Sequence, residues 1–320
     1  MWLFNRNETI FHKGVGSLVE IIREIHVHGP FRLATTVKVL RRESTQLQQP
    51  DDPAFLSLSL EVPGGAVEVR IIQRRPDENL EVSILGDDVS EDAAEIVCDQ
   101  LSRMFSLRFD PTQYFEQIED NPYLSNIDKV LPNLRPLLYP TPFEGVITAL
   151  IGSQLSPRET TMLLSNLREV CGIVPSGRVS ATPAFPGKFT MLALPDRLLE
   201  IAGIPLLKVR MIKDVTAMMV GEPDLLEHLE TVGDIEKSIS LLTSLPGINR
   251  FTALRLLNYA YGHPDLLLDS PMLRKSVQRF YHMGSLPDSA TIQRLAEPFI
   301  PWRSWWTFLL VTADEVAVSV

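Results

Sequence analysis

The stretch SLPGINRFTALRLLNYAYGHPDLLLDSPMLRKSV, residues 244–277, decides the fold and carries most of the functional signal. One amphipathic segment ends just before Pro246-Gly247, a pair that predicts a tight turn. Asn249 is one of the few residue types besides glycine that accept a left-handed backbone, and a second helix is predicted from Arg250 onward. A hairpin this short leaves backbone N–H groups free at a helix N-terminus, where they can hold a phosphate oxygen. The alternative is an ordinary turn between two packed helices.

The segment around this hairpin is basic although the whole protein is acidic. The 320 residues have a formal net charge of -10, which argues against a protein that coats nucleic acid non-specifically. Residues 245–280 have a balance of +3, from Arg250, Arg255, Arg274, Lys275 and Arg279 against Asp265 and Asp269. The local sign is therefore compatible with one surface that faces DNA.

The remainder of the second part of the chain has a helical pattern. Apolar residues recur at helical spacing, and Pro or Gly marks nearly every junction. The predicted helical segments are 143–150, 160–170, 191–202, 210–220, 235–245, 251–261, 272–280 and 305–311. This pattern predicts an all-helical core with short connections.

The first third of the chain has a different pattern. Apolar and polar residues alternate in 55–62 and 66–73, which predicts antiparallel strands joined at Pro63-Gly64-Gly65. Segments 31–40 and 80–85 are also rich in residues that favour strands, 18–25 is predicted as a short helix, and Ser90 as the N-cap of another helix.

Together these patterns predict an α+β fold. We expect an N-terminal antiparallel β-sheet domain with helices over residues 1–112. An all-helical core of two subdomains is expected over residues 113–320, with the helix-hairpin-helix at 235–261.

Composition limits the remaining functional classes. Two cysteines, Cys98 and Cys171, are too few for a disulfide framework or a cysteine-ligated cluster, and the six histidines show no metal-ligand spacing. No apolar run reaches the ~20 residues that span a bilayer, and no secretory signal is seen at the start. We expect a cytoplasmic monomer with no membrane contact and no protein-ligated metal.

Four segments resemble one known family. LPGINRFTA (245–253) resembles the LPGxGxxTA signature of the helix-hairpin-helix DNA glycosylases, and GHPDLLLD (262–269) resembles the GHPxxxxD that leads to their catalytic aspartate. PFEGVITALIGSQLS (142–156) and PWRSWW (301–306) resemble segments of the alkylation-repair members. The chain is most similar to the bacterial 3-methyladenine DNA glycosylase II group, and the resemblance implies a base excision repair enzyme that removes damaged bases from duplex DNA.

The resemblance implies a catalytic role for Asp269. Phe251 stands 18 residues earlier, where the bifunctional members have a lysine nucleophile, so a monofunctional hydrolase without a strand-cleaving lyase step is expected. Two alternatives stay open. Asp269 serves only as a cap for the helix that begins near Pro271; or Pro271 occupies the aspartate position of the alkylation-repair members, and the protein is a catalytically silent DNA-binding or lesion-sensing protein.

The resemblance also implies further contacts with DNA. Gln154 stands where the family presents a wedge that fills the space of the flipped nucleotide, with a solvated side chain as the alternative. The candidate base pocket consists of Phe143, Phe251, Tyr259, Met272, Trp302 and Trp305, for each of which core packing is the alternative. The candidate contacts to DNA are Gln154, Ser156, Lys208, Arg210, Gly247, Asn249, Arg250 and Thr252. No cofactor is expected, apart from the monovalent cation that family members hold on hairpin carbonyls, and the damaged base is not identified.

Overall fold

The computed structural model describes residues 8–12, 18–43, 54–175, 182–222, 229 and 234–318. It begins with an antiparallel sheet of five strands in the order β1-β2-β5-β4-β3. The strands are β1 Glu8–His12, β2 Leu18–Ile25, β3 Phe55–Val62, β4 Gly65–Ile72 and β5 Leu80–Gly86.

The β3–β4 hairpin follows directly from its turn residues. Val62 pairs with Gly65, so Pro63 and Gly64 form a two-residue connection, and Gly64 has φ 96°. Pro fixes the first turn position and Gly accepts the positive φ of the second. The strands predicted at 55–62, 66–73 and 80–85 are confirmed as β3, β4 and β5.

Two elements near the start of the chain differ from their predictions. Residues 18–25, predicted as a helix, form the strand β2. Its buried positions alternate as Val19, Ile21, Arg23 and Ile25, and Arg23 pairs with Glu91. Because Arg23 is charged while Leu18 and Ile22 on the opposite face are apolar, the apolar residues alone do not show this period of two. The predicted helix is therefore wrong because a charged side chain takes one core position and two apolar side chains lie on the opposite face.

The segment 31–40, predicted as a strand, is also wrong. It forms the helix α1, Leu33–Glu43, which packs on the sheet. Its adjacent threonines are accommodated because both hydroxyls donate to backbone carbonyls: Thr36 to Arg32 O one turn earlier, and Thr35 to Pro132 O at 2.9 Å. Tertiary packing thus overrides the strand preference of the β-branched residues.

Helices make up most of the rest of the described chain. They are α2 Glu91–Met104, α3 Thr112–Asp120, α4 Ser125–Val130, α5 Pro142–Gly152, α6 Pro157–Cys171, α7 Lys188–Ala193, α8 Asp196–Ile201, α9 Leu206–Gly221, α10 Ile235–Thr243, α11 Arg250–Tyr259, α12 Pro271–Phe280, α13 Ser289–Ala296 and α14 Arg303–Val318. The predicted helical segments are confirmed, except that 191–202 is two short helices divided at Leu194-Pro195. Ser90 is confirmed as the N-cap of α2, where its hydroxyl accepts from Ala93 N.

The buried apolar residues form three clusters. The first fills the space between the sheet and α1 and α2; the second joins α5–α11; the third joins α3, α4 and α12–α14. The α+β fold class is confirmed, and the division near residue 112 into a sheet domain and a helical domain remains our proposal. None of the helices in the described ranges has the length and apolar character that crossing a bilayer requires.

Candidate nucleic-acid interface and carboxylate site

The predicted helix-hairpin-helix consists of α10 and α11. Its tight turn depends on Gly247, which has φ 83° and on which an added Cβ would collide with the Met211 methyl group of α9. The expectation of a left-handed backbone at Asn249 is wrong: its φ is -93° and ψ 172°, which is extended. Because Gly247 already reverses the chain, Asn249 is free to act as the N-cap of α11, and its Oδ1 accepts from Thr252 N at 2.9 Å.

The hairpin leaves donors that an anion can use. Within the described ranges, the N–H groups of Gly247, Asn249 and Arg250 have no hydrogen-bond acceptor. They lie at the N-terminus of α11, where the helix dipole favours negative charge. The Thr252 N–H is not among these donors, since Asn249 already accepts from it.

The Arg250 side chain spans the hairpin. Its guanidinium donates to both carboxylate oxygens of Glu236 on α10, at 2.8 and 2.6 Å, and lowers the pKa of Glu236. Both side chains are exposed, so the pair is screened by solvent and contributes little to stability. A phosphate that approaches the hairpin can therefore replace Glu236 as the partner of Arg250.

The turn between α5 and α6 exposes Gln154 in an unusual conformation. Gln154 has φ 63°, a left-handed backbone that costs a non-glycine residue roughly 1–2 kcal/mol. Its side chain is exposed. Ser156 follows as the N-cap of α6, where it forms a capping box with Glu159, so its hydroxyl is engaged within the protein.

Lys208 and Arg210 of α9 differ in their availability to DNA. Lys208 Nζ donates to the carbonyl oxygens of Ile151 and of Ser153, the latter at 2.7 Å, and burial lowers the pKa of Lys208. The expectation that Lys208 contacts a phosphate is therefore not supported by its position. Arg210 is exposed and has no hydrogen-bond or ion-pair partner in the described part of the chain.

The carboxylate of Asp269 is held from two sides. Arg274 donates from Nε to Oδ1 at 2.8 Å and from a terminal nitrogen to Oδ2 at 2.6 Å, and Ser289 donates to Oδ2 at 2.7 Å. These donors, Arg274 first, lower the pKa of Asp269. The side chain is 26% exposed, so an ionised carboxylate lies at the surface of the fold.

Asp269 is not the helix cap that one sequence alternative proposes. Ser270 is the N-cap of α12, and its hydroxyl accepts from Leu273 N at 3.1 Å, while Pro271 begins the helix. Sequence reasoning missed Arg274 and Ser289 as partners of Asp269. Arg274 could have been found from its place near the start of a helix that begins at Pro271, because side chains there point back towards the residues that precede the helix. Ser289 lies on another helix, and no sequence signal connects it with Asp269.

The segment that carries Asp269 is fixed to α14. Arg303 makes a bidentate pair with Asp265, with nitrogen–oxygen distances of 2.7 and 2.9 Å. Ser304 N donates to Pro264 O at 2.9 Å, and Ser304 Oγ accepts from Leu266 N at the same distance. The PWRS and GHPD motifs thus contact each other directly, and these hydrogen bonds position the residues before Asp269.

The six aromatic and methionine residues predicted for a base pocket differ in their exposure. Phe143 is buried in the second core and Trp305 in the third, so neither is accessible in this conformation. Trp302 and Tyr259 are half-buried against the third core. Phe251 and Met272 are 47% and 49% exposed in the first turns of α11 and α12. These two are therefore the candidates available to a base.

A cavity of about 320 Å³ lies elsewhere, near α3 and α13. It is lined by Asn121, Pro122, Tyr123, Tyr281, Met283, Arg294, Leu295, Pro298 and Phe299, and Tyr123 and Tyr281 stack with ring centroids 4.9 Å apart. The predicted site residues are not among its lining. In the ranges that the structure describes, no three His, Cys, Asp or Glu residues are grouped to hold a metal ion.

Comparison with known proteins confirms the resemblance drawn from the motifs. The chain is 29% identical over 217 residues to DNA-3-methyladenine glycosylase 2 of Escherichia coli, covering 67% of this chain and 70% of the relative. It is 24% identical over 192 residues to the alkylbase DNA glycosidase-like protein mag2 of Schizosaccharomyces pombe, covering 58% and 84%. No protein-family model matches the chain. In sequence it is thus close to the 3-methyladenine DNA glycosylases.

Solved structures show the same fold. A 3-methyladenine DNA glycosylase from Archaeoglobus fulgidus has a TM-score of 0.75 at 20% identity, covering 91% of this chain and 98% of that one. An 8-oxoguanine glycosylase/lyase from Clostridium acetobutylicum, in complex with double-stranded DNA, has a TM-score of 0.66 at 14% identity, covering 99% of each.

Proposed function

We propose that the protein is a DNA glycosylase that hydrolyses the N-glycosidic bond of damaged bases in duplex DNA, with alkylated purines as substrates. Its similarity to an alkylbase and a 3-methyladenine glycosylase supports this activity. The structural observation that carries it is Asp269: a partly exposed, ionised carboxylate just before the N-cap of α12, on a segment that Arg303 and Ser304 fix to α14. A fixed ionised carboxylate is what a developing sugar cation requires.

The chemistry needs no covalent enzyme intermediate. As the bond from C1′ to the base nitrogen breaks, the base leaves with the bonding electrons and positive charge builds on the sugar. Asp269 stabilises this charge, and the oxygen of water bonds to C1′ while its released proton passes to the carboxylate. Phe251 has no amine at the hairpin position, so the Schiff-base route that leads to strand cleavage is absent from this proposal.

DNA is held by features on three elements. The free N–H groups of Gly247, Asn249 and Arg250 receive a phosphate at the hairpin, and Arg210 of α9 supplies a further cation. Gln154 enters the space left by the extruded nucleotide. The exposed rings and thioether at Phe251 and Met272 provide apolar surface for the base.

The first prediction concerns Asp269→Asn. We expect release of free base from methylated duplex DNA to fall by about 100-fold or more, because a neutral amide does not stabilise the sugar cation. Base release is measured by chromatography. Asp314→Asn is the matched control, since Asp314 also pairs with an arginine, but with Arg279, at 2.9 Å, and not with Arg274. Equal activity of wild type and Asp269→Asn would contradict the assignment.

A second candidate function is lesion binding without hydrolysis. The observation in its favour is that Arg274 and Ser289 already occupy both oxygens of Asp269, which reduces the charge available to a sugar cation. Tight binding to methylated or abasic DNA with no base release by the wild type would select it. Borohydride trapping tests the remaining point: a covalent complex would contradict the absence of a lyase step.

A further inference from the structure

We propose that Lys208 is a positioning residue that holds the α5–α6 turn in the conformation that presents Gln154 to DNA. This inference rests on the proposed DNA function, because Gln154 matters only if the turn meets a duplex. It assigns Lys208 to the geometry of the turn and not to a phosphate.

The contacts of Lys208 all lie at one helix end. Its ammonium bridges the carbonyl oxygens of Ile151 and Ser153, on either side of Gly152, where α5 ends. A cation is favoured there because the last carbonyls of a helix lack N–H partners and carry the negative end of the dipole. Lys208 is also half-buried and spends two donors inward, which a phosphate-binding lysine would keep outward.

The neighbouring carbonyls are satisfied as well. Ser153 Oγ donates to Leu150 O at 2.9 Å, and Leu155 N donates to Gly152 O at 3.1 Å. Each of the four carbonyls from Leu150 to Ser153 therefore has a donor. The turn is fixed by the protein alone, before any DNA is present.

This fixation explains the strained backbone of Gln154. A left-handed non-glycine residue persists only where its surroundings determine the conformation, and such residues gather at binding sites. The Gln154 side chain itself has no hydrogen-bond partner in the described ranges, so the backbone conformation of the turn is what sets its direction in this proposal. Without the Lys208 ammonium, the turn can relax to a negative φ and redirect the side chain.

Helix α9 also supports the hairpin. Met211 lies one helical turn after Lys208 and packs against Gly247, so the two side chains share a face of α9. The same helix therefore contacts both the Gln154 turn and the hairpin turn whose N–H groups are proposed to bind a phosphate. A rigid spacing between these two points is what simultaneous contact with a duplex requires.

The test separates positioning from phosphate binding. We expect Lys208→Met to reduce nucleotide extrusion about 5- to 30-fold, the change in population that corresponds to the strain of one left-handed residue. Extrusion is measured as the fluorescence rise of 2-aminopurine placed beside a tetrahydrofuran abasic analogue in a duplex. The salt dependence of DNA binding should not change in Lys208→Met. The control Arg210→Met should make the negative slope of log K against log salt concentration less steep, by about 0.9.

A double variant tests whether Lys208 acts through Gln154. In a Gln154→Ala background, Lys208→Met should cause little further loss of extrusion, and Lys208→Arg should restore part of it in the wild-type background. If Lys208→Met does not fold, Lys208→Gln, which retains an amide donor, is measured in its place.

The outcomes distinguish the two levels of the proposal. Three outcomes would overturn the role of Lys208 but not the DNA function: undiminished extrusion in Lys208→Met, losses that add to those of Gln154→Ala, or a less steep salt dependence in Lys208→Met. No fluorescence rise with the wild-type protein would overturn the DNA function and the role of Lys208 with it. Because extrusion is read without hydrolysis, the test holds for a catalytically silent protein too.

Discussion

At the scale of single residues, the decisive relationship is between Asp269 and Arg274. The motif around residues 262–269 predicts Asp269 as the catalytic carboxylate, but it contains no information on the charge that faces this side chain. Arg274 reaches Asp269 because Ser270 and Pro271 begin a helix whose first turns fold back on the preceding residue. Ser289 comes from α13, a contact that only the tertiary structure reveals. The sequence thus proposes a carboxylate, and the structure adds the two side chains that donate hydrogen bonds to it.

Replacement of Arg274 by Met gives a prediction on pH dependence. The folded-state pKa of Asp269 is below its ordinary value, and the Arg274 hydrogen bonds are the largest cause. The stability that this interaction contributes is therefore present above the unfolded pKa of about 3.9 and is lost as pH falls through the folded value. In Arg274→Met the pKa of Asp269 should rise, and the acid limb of base release should move to higher pH.

The pKa of Asp269 can be followed by the ¹³C shift of its side-chain carboxyl in both proteins, which does not require activity. Arg279→Met, which removes the Asp314 pair, is the control. An unchanged carboxyl titration in Arg274→Met would mean that the pair seen here does not persist in solution. A higher turnover in this variant at neutral pH would show that Arg274 restrains the carboxylate.

At the scale of elements, amphipathic helices were the easiest to predict. Their buried positions repeat over many residues, so one exception does not obscure the period. The eight residues of β2 allowed no such redundancy, since buried Arg23 and the apolar Leu18 and Ile22 on the opposite face together disguise the alternation. In the hairpin turn, too, the sequence predicts the position of the turn but not its backbone conformation. Its location followed from Pro246-Gly247, whereas the division of roles between Gly247 and Asn249 depends on backbone angles that both residue types accept.

The hairpin turn yields a prediction on stability. Gly247→Ala should lower the free energy of unfolding by about 1–2 kcal/mol from the left-handed backbone, with a further cost from displacing Met211. Affinity for duplex DNA should fall with it, because the turn orients the free N–H groups. Urea denaturation and a DNA titration measure the two effects. Gly221→Ala is the control, since Gly221 has no atom within 4 Å of an added Cβ and should lose no stability.

At the scale of the whole molecule, the sequence predicted the class of fold but not the contacts between the sheet region and the helical region. Composition and periodicity distinguish a sheet region from a helical region, since each pattern is local. Several of the contacts that connect them are made by single polar residues with no local signature. Glu61 of β3, for example, accepts from Gly187 N at 2.6 Å and from Thr190 Oγ1 at 2.7 Å, which ties the sheet to the start of α7.

Arg135 is a fully buried polar residue that makes such connecting contacts, and it supports the last prediction. It is 0% exposed, and its guanidinium donates to four carbonyls that follow β2 and α2: Pro30 at 3.0 Å, Ser106 at 3.2 Å, Phe109 at 3.1 Å, and His28. Burial lowers the pKa of Arg135 to about 10, so it remains charged at neutral pH; the four carbonyl dipoles, together with the nearby carboxylates of Asp110 and Asp77, compensate that charge.

Replacement of Arg135 by Met keeps most of the side-chain volume but leaves these carbonyls without donors. We expect the free energy of unfolding to fall by about 3 kcal/mol or more, since each buried acceptor that loses its partner costs roughly 1–3 kcal/mol. Urea denaturation measures the change, and Arg74→Met, which removes an exposed pair with Glu81, should leave stability nearly unchanged. A loss for Arg135→Met as small as that of the control would mean that water replaces the guanidinium, and that packing alone joins the sheet to the helices.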